Sequence, residues 1–377
     1  MENKKEKQQD IKKEKKQQPK FDPYAPHKIK WWGWPLLILL IIGTIYIFRN
    51  NQPQLGESSK PAQPKWEAKE TQHDEGSIFG TFYHITYQST DNMQEGINAV
   101  LKQVDQSLSP FNKSSVITAI NENTCMNTDS MFTEVFLLAQ EVSEATNGAF
   151  DITVAPLVNL WGFGFKNIDN VNDTKVDSIL PFIGYQKVRL VNGKIEKEAP
   201  QLMLDCSAIA KGYGVDAAGK YLESKGIKNY MVEIGGEIRV RGTNPQGELW
   251  RIGINTPKDD PTSTSNEIEE IIQVPQLSMA TSGNYRNYYE KDGKKFAHTI
   301  DPRTGYPIQH NILSSTVLAQ DCATADAYAT AFMVLGLEEA QKILNEKHDL
   351  MAFFIYSNEN GEMEKWHTEN LNNLIVK

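Results

Sequence analysis

Cysteine is scarce: Cys125, Cys206 and Cys322 are the three in 377 residues, too few and too scattered for a zinc site or a disulfide framework. They read as small buried residues, with a pairing of two of them left open in an oxidising compartment. Positive charge is scarce beyond the first thirty residues. Residues 1–30 hold ten Lys against five Asp or Glu, about +5, which leaves about −14 for the remainder of a chain whose net charge is −9. An acidic body of this kind argues against nucleic acid as a partner. No low-complexity run interrupts the chain after its first quarter, and at 42.6 kDa it can bury a large core. One large globular unit, or two intimate domains, is expected.

Long apolar runs are lacking except at one place. Trp31 to Phe48 is eighteen residues without a charge, just long enough to cross a bilayer, and it opens with Trp31, Trp32 and Trp34, residues suited to the interface. It reads as one transmembrane helix, a signal anchor. A cleaved signal peptide is disfavoured, because thirty polar residues precede the run, no small-residue cleavage site follows Phe48, and no Cys there could take lipid. The Lys-rich residues 1–30 should then stay cytoplasmic and Arg49 onward be exported, which in a bacterium is the outer face of the inner membrane. Residues 49–75 are polar and Pro-containing and read as a flexible linker, so the body is expected over 76–377, starting near Gly76.

Past the linker the pattern mixes α and β. Ile78–Gln88 alternates like a strand. Ile97, Val100, Leu101, Val104 and Leu108 recur at helical spacing, as do Phe132, Val135, Phe136, Ala139 and Val142 ahead of Asn147-Gly148, a helix stop. Asn192-Gly193 and Asp292-Gly293 mark hairpin turns. Strands at Asn229–Val240, Ile312–Leu318 and Met351–Tyr356 surround helices near Gly212–Ser224 and Ala323–Leu335. This is an α+β chain with largely antiparallel strands, not a regular βαβ array.

Five short segments carry candidate chemistry. Asn147-Gly-Ala-Phe-Asp-Ile-Thr153 places Asp151 behind a helix end where backbone can approach a ligand, or is a helix stop and nothing more. Asp205-Cys-Ser-Ala-Ile-Ala-Lys-Gly-Tyr-Gly-Val-Asp216 follows an expected strand at Gln201–Leu204. Its small residues could admit an anion, with Lys211 opening a helix beside it; a tight turn with a surface Lys reads equally well. Met231–Val240 is a strand interrupted by Gly235-Gly236, which marks a bulge or a close approach. His298-Thr-Ile-Asp-Pro-Arg-Thr-Gly-Tyr-Pro307 puts a His before a turn able to overhang a cleft. On the Ala-rich stretch Asp321–Ala331, Asp326 and Thr330 share one helix face, oxygen ligands that suit Mg²⁺ or a dipole-favoured Asp with a Thr packed behind it.

In order and wording these segments, with Ala280-Thr-Ser-Gly-Asn-Tyr-Arg286, resemble the ApbE family, the FAD:protein FMN transferases. The family's segments are G-A-F-D-x-T, D-x-x-x-I-A-K-G-Y-x-V-D, G-G-[DE], A-T-S-G-x-Y-R, H-x-I-D-P-x-T-G and D-A-x-A-T, and the resemblance spans about residues 78–356. It implies a T-fold-like α+β architecture with largely antiparallel sheets and packed helices. It also implies an Mg²⁺ site formed by the side chains of Asp326 and Thr330 with the backbone oxygen of Ala208. FAD contacts would fall on Phe111, Ala149, Phe150, Asp151, Asp205, Lys211 and Ile300. Phe79 stands where the family often has a Met lining the flavin pocket, and Cys206-Ser207 where many members have Leu-Gly. The implied reaction moves FMN from FAD onto a Ser or Thr hydroxyl of an acceptor protein as a phosphoester, with AMP released. Acceptors would be flavoprotein subunits of membrane electron-transport complexes of the Nqr and Rnf types. His298, with an intrinsic pKa near neutrality, is the candidate general base, with Asp301 to orient it. Two other readings stay open: an FAD pyrophosphatase that admits water to the same site, and a tethered carrier that binds FAD without chemistry.

Overall fold

Residues 65–163, 171–257, 267–283, 288–291, 294–297, 299–308 and 311–376 are described by the computed structural model of the protein, and all belong to one compact unit, Lys60–Lys377. The expected span at 31–48 lies outside them. Among the described residues no helix is long and apolar enough to cross a membrane.

The chain opens with a hairpin, β1 (Thr71–Ile78) and β2 (Thr81–Gln88), where alternation alone suggested a single strand over 78–88. Its two-residue turn is Phe79-Gly80, both at positive φ (52° and 75°), a geometry that matches the twist of the flanking strands. A Phe in that region is uncommon, which is why the turn is not read from sequence. Helices α1 (Gln94–Leu108), α2 (Val116–Asn121), α3 (Ser130–Ala145), α4 (Ala155–Leu160) and α5 (Asp173–Ile179) follow. The hairpin β3 (Val188–Val191) and β4 (Lys194–Lys197) turns at Asn192-Gly193, both at positive φ as expected. Next come α6 (Ser207–Ser224), β5 (Tyr230–Ile234), β6 (Glu237–Arg241), β7 (Trp250–Asn255), β8 (Ile268–Val274) and β9 (Ser278–Gly283). The pair β10 (Tyr288–Lys291) and β11 (Lys294–Ala297) precedes β12 (Ile312–Ala319), α7 (Cys322–Leu335), α8 (Leu337–Glu346), β13 (Met351–Ser357) and β14 (Met363–His367).

Eight strands form one sheet in the order β1-β2-β5-β6-β9-β12-β13-β14, every neighbouring pair antiparallel. The α+β, antiparallel expectation holds. Side chains alternate across it. On β6, Glu237 and Arg239 point to the side of α6 and α7, while Ile238 and Val240 point to the other side. There Val240 joins Met279, Leu318, Phe353 and Ile355 under the β7–β8 hairpin and Trp66.

That Trp66 is buried and donates its backbone N–H to Pro245 O. The body therefore includes Lys65–Glu75, which composition assigned to the linker; one buried aromatic and a strand pairing outweigh a polar neighbourhood. Gly235-Gly236, expected as a bulge or a close approach within one strand, is the two-residue turn between β5 and β6, with φ of 61° and 99°, and a Cβ on Gly235 would stand 2.8 Å from Thr81 Cγ2. Cys206 and Cys322 are buried as expected, Cys125 is exposed, and all three are free thiols.

On the helix side, α1 and α6 pack through Ile97, Leu101, Val215, Ala218 and Leu222. Ala-rich α7 is buried almost all round, lying against α6, β9 and β12. The two helices meet at Gly212, where an added Cβ would stand 2.4 Å from the backbone oxygen of Cys322. Gly212→Ala must therefore push α7 away from α6, and we expect a loss of about 1–3 kcal/mol, read as a lower urea midpoint at unchanged m-value.

Candidate active site

The start of α6 is held from three directions. Asp205 accepts the Ser207 N–H on Oδ1 at 2.8 Å and donates its own N–H to Ile152 O at 2.7 Å. Gln201–Leu204 is not the expected strand: Leu204 N–H and C=O both bond the side-chain amide of Asn121, which satisfies the backbone without a partner strand. The helix begins at Ser207, so Ala208 lies in its first turn and Lys211 in its second, not at its opening.

The start of α7 is capped by α6. Asp321, its N-cap residue, makes no side-chain cap bond; Asp216 instead accepts Cys322 N–H on Oδ1 and Ala323 N–H on Oδ2, both at 2.9 Å. Buried Arg239 donates to Asp216 Oδ1 at 2.8 Å and to Tyr230 Oη at 3.0 Å, and reaches Glu223 at 3.3 Å. Burial pushes the Asp216 carboxyl up from its ordinary value, opposed by these N–H bonds and the Arg239 guanidinium.

One turn into α7, buried Asp326 accepts Gly212 N–H on Oδ2 at 3.0 Å, and its Oδ1 lies 3.8 Å from Lys211 Nζ. Lys211 donates to Glu237 Oε1 at 2.7 Å. Thr330, on the same face one turn beyond Asp326, pairs its Oγ1 with Ser282 Oγ at 3.1 Å, which brings the end of β9 to α7. Burial works against the Lys211 ammonium, but Asp326 and Glu237 outweigh it and raise its pKa. Glu237 is buried with Oε2 lacking a hydrogen-bond partner. Burial first, and Asp326 after it, push its carboxyl up to about 7 against the pull of Lys211. Sequence reasoning missed Glu237 and Ser282 as site residues. The available signal was their place in the Gly235-Gly236-Glu237 and Ala280-Thr281-Ser282-Gly283 segments.

The ApbE family model matches residues 79–354. The FAD:protein FMN transferase of Haemophilus influenzae is 39% identical over 307 residues, covering 77% of this chain and 88% of that protein. Among solved structures, the flavin transferase ApbE from Vibrio cholerae superposes with a TM-score of 0.73 at 34% identity, covering 81% of this chain and 99% of that one. The apo form of Pseudomonas stutzeri flavinyl transferase ApbE gives 0.72 at 30%, covering 81% and 97%. This chain belongs to the ApbE family.

The ApbE segments divide by what their side chains do. Lys211 and Asp326 approach each other where α6 and α7 cross, and Thr330 lies one turn further along α7 against Ser282. Asp151 is occupied within the fold: Oδ1 accepts the N–H and the hydroxyl of Thr153, Oδ2 accepts Tyr185 N–H, all at 2.7 Å, and burial raises its pKa. It braces the loop that carries buried Ala149 and Phe150. Ala149 packs with Ile308 and with Met333 of α7, so the Gly148 loop and the loop after residue 298 both close on the metal-candidate helix. Ile300 is buried among Leu157, Trp161, Val176 and Ile183. Asp301, expected to orient His298, gives Oδ1 to the Arg303 N–H and Nε and Oδ2 to Nη2, each at 2.9 Å, and so braces its own turn. Phe111 lies on the loop between α1 and α2, 57% exposed. His298 lies outside the described residues.

The donor chemistry at the crossing fits Mg²⁺. Asp326 offers a carboxylate oxygen that already faces a cation, Thr330 a hydroxyl on the same helix face, and Ala208 a first-turn backbone oxygen, all hard ligands. No group of three His, Cys, Asp or Glu that could hold a metal ion lies among the described residues, so an ion held here would need hydroxyl or backbone oxygens beside Asp326.

Two measurements test this electrostatic reading. Arg239→Met leaves Asp216 buried without its counter-ion, and we expect a loss of about 3–5 kcal/mol in urea unfolding. Glu237 binds its proton more tightly folded than unfolded, so its contribution to stability is fully present below the ordinary carboxylate value of 4.5 and is lost as pH rises through about 7. Without divalent cations, that downward slope of unfolding free energy between pH 5 and 8 is expected to flatten in Glu237→Gln.

Proposed function

We propose that this chain is an FAD:protein FMN transferase that places FMN on a Ser or Thr hydroxyl of an acceptor protein through a phosphoester bond. The observation that carries the reading is the approach of Lys211 on α6 to Asp326 on α7, with Thr330 one turn further along the same face of α7, in a chain of the ApbE family. The H. influenzae relative bears the same activity as its name.

The acceptor hydroxyl oxygen attacks the phosphorus on the FMN side of the FAD pyrophosphate. An O–P bond forms, the bridging P–O bond breaks, and AMP leaves with the bridging oxygen. The hydroxyl proton passes to a base, a role assigned to His298 from the motif that holds it. Mg²⁺ held by Asp326, Thr330 and the Ala208 carbonyl would neutralise charge on the pyrophosphate as it is cleaved. Lys211, on the neighbouring turn of α6, supplies a second positive charge to the same phosphates. Bracing by Asp151 and Asp301 keeps the flanking loops in place without spending a charge on the substrate.

We further propose that the apolar run 31–48 anchors the chain in the bacterial inner membrane with the catalytic body on its outer face. Tethering raises the effective concentration of the enzyme beside membrane-bound acceptors, of which exported flavoprotein subunits of Nqr and Rnf type are the expected class.

Incubating the purified full chain with FAD, Mg²⁺ and such an acceptor subunit should raise the acceptor mass by one FMN. That gain should disappear on chelation and fall at least about a hundredfold in Asp326→Ala. Release of free FMN and AMP beside an unmodified acceptor would replace transfer with hydrolysis, and FAD binding without Mg²⁺-dependent turnover would leave a carrier.

A further inference from the structure

The buried carboxylate of Glu237 is part of no role assigned above, yet it sits against the Lys211 ammonium, which approaches the metal-candidate oxygen. Lys211 Nζ is 2.7 Å from Glu237 Oε1 and 3.8 Å from Asp326 Oδ1. Glu237 and Asp326 are 4% and 3% exposed in their side chains and Lys211 is 32% exposed, so these three charges act on one another with little screening. A divalent ion on Asp326 Oδ1 would stand close to the Lys211 ammonium and be repelled by it. How strongly depends on how far Glu237 offsets that charge. We infer that the Lys211–Glu237 pair sets the affinity of the site for a divalent cation, Lys211 opposing the ion at Asp326 and Glu237 cancelling the opposition. Glu237 is then a positioning residue, placed on the helix side of β6 by strand alternation and brought to the end of its strand by the Gly235-Gly236 turn.

The pair explains two features together. A buried Glu with one oxygen unpartnered costs stability, and a packing role would be met more cheaply by Gln or Leu. A lysine fully free to oppose the ion would empty the site. Pairing keeps a positive charge available for phosphate while leaving the net charge beside Asp326 near that of the carboxylate alone.

The inference rests on the cation site proposed at Asp326, and the test separates the two. Binding of Mn²⁺ to the full chain in detergent, at pH 8 and without FAD, is followed by electron paramagnetic resonance of the free ion. Lys211→Met should tighten binding about tenfold and Glu237→Gln weaken it about tenfold. The double variant, neutral again, should return close to the parent. Lys211→Arg, which keeps the charge, should stay near the parent. A purely structural role for the pair makes the double variant no better than the worse single one. That result, or a Lys211→Met no tighter than the parent, or a Lys211→Arg as tight as Lys211→Met, overturns the inference. Mn²⁺ binding that survives intact in Asp326→Ala removes the site itself, whatever the other variants do.

Discussion

The close crossing of α6 and α7 at Gly212 is the constraint on which the rest depends. Because Gly212 has no side chain, the backbone of Cys322 comes within the space a Cβ would fill, and only at that separation can Gly212 N–H reach Asp326 Oδ2 and Asp216 cap the first two N–H groups of α7. Each bond fixes α7 in both rotation and translation relative to α6. Rotation decides that Asp326 faces Lys211 and Thr330 the end of β9. Translation decides that Lys211 Nζ is near Oδ1. A single backbone contact thus converts a packing problem into the geometry of a site.

Such a site is costly to the fold that builds it. Asp216, Arg239, Glu237 and Asp326 are all buried, and replacing a buried ion pair with apolar residues is often neutral or stabilising. The sheet beneath carries the stability instead. Its far side is closed by Trp66, the β7–β8 hairpin and Leu371, and its helix side by an almost wholly buried α7 with Phe332 and Phe354 in edge-to-face contact. Dry packing on both sides also strengthens every interaction at the crossing, since low polarisability around the charges leaves them unscreened. The apolar core and the polar site are therefore mutually dependent.

How much of this the sequence discloses follows from how local each feature is. The helices with Ile97–Leu108 and Phe132–Val142, and the Asn192-Gly193 hairpin, are set by neighbours a few residues apart and are legible. The Phe79-Gly80 turn is not, because tertiary packing against Gly214 holds an aromatic residue in a conformation its propensity disfavours. Gln201–Leu204 looks like a strand by composition, but Asn121, distant in sequence, takes the backbone bonds of Leu204. Glu237 was visible only as the last letter of a Gly-Gly-Glu segment. Its role needs the pairing of β5 with β6, which places it under α6.

A family motif marks positions that must be kept and is silent on why. In this chain five of the marked carboxylates separate into two kinds once their partners are known. Asp151, Asp216 and Asp301 have both oxygens bonded by backbone N–H groups, a hydroxyl or an Arg inside the fold, so their charge is already spent on holding loops and a helix end. Glu237 and Asp326 each keep an oxygen that lacks such a donor or faces only the distant Lys211 ammonium. Carboxylates of the first kind hold backbone, hydroxyl or guanidinium groups in place, and those of the second keep charge at the crossing, where the proposed cation and pyrophosphate would be held. The distinction is one of hydrogen-bond accounting, and it supports the proposal that places the chemistry at the helix crossing.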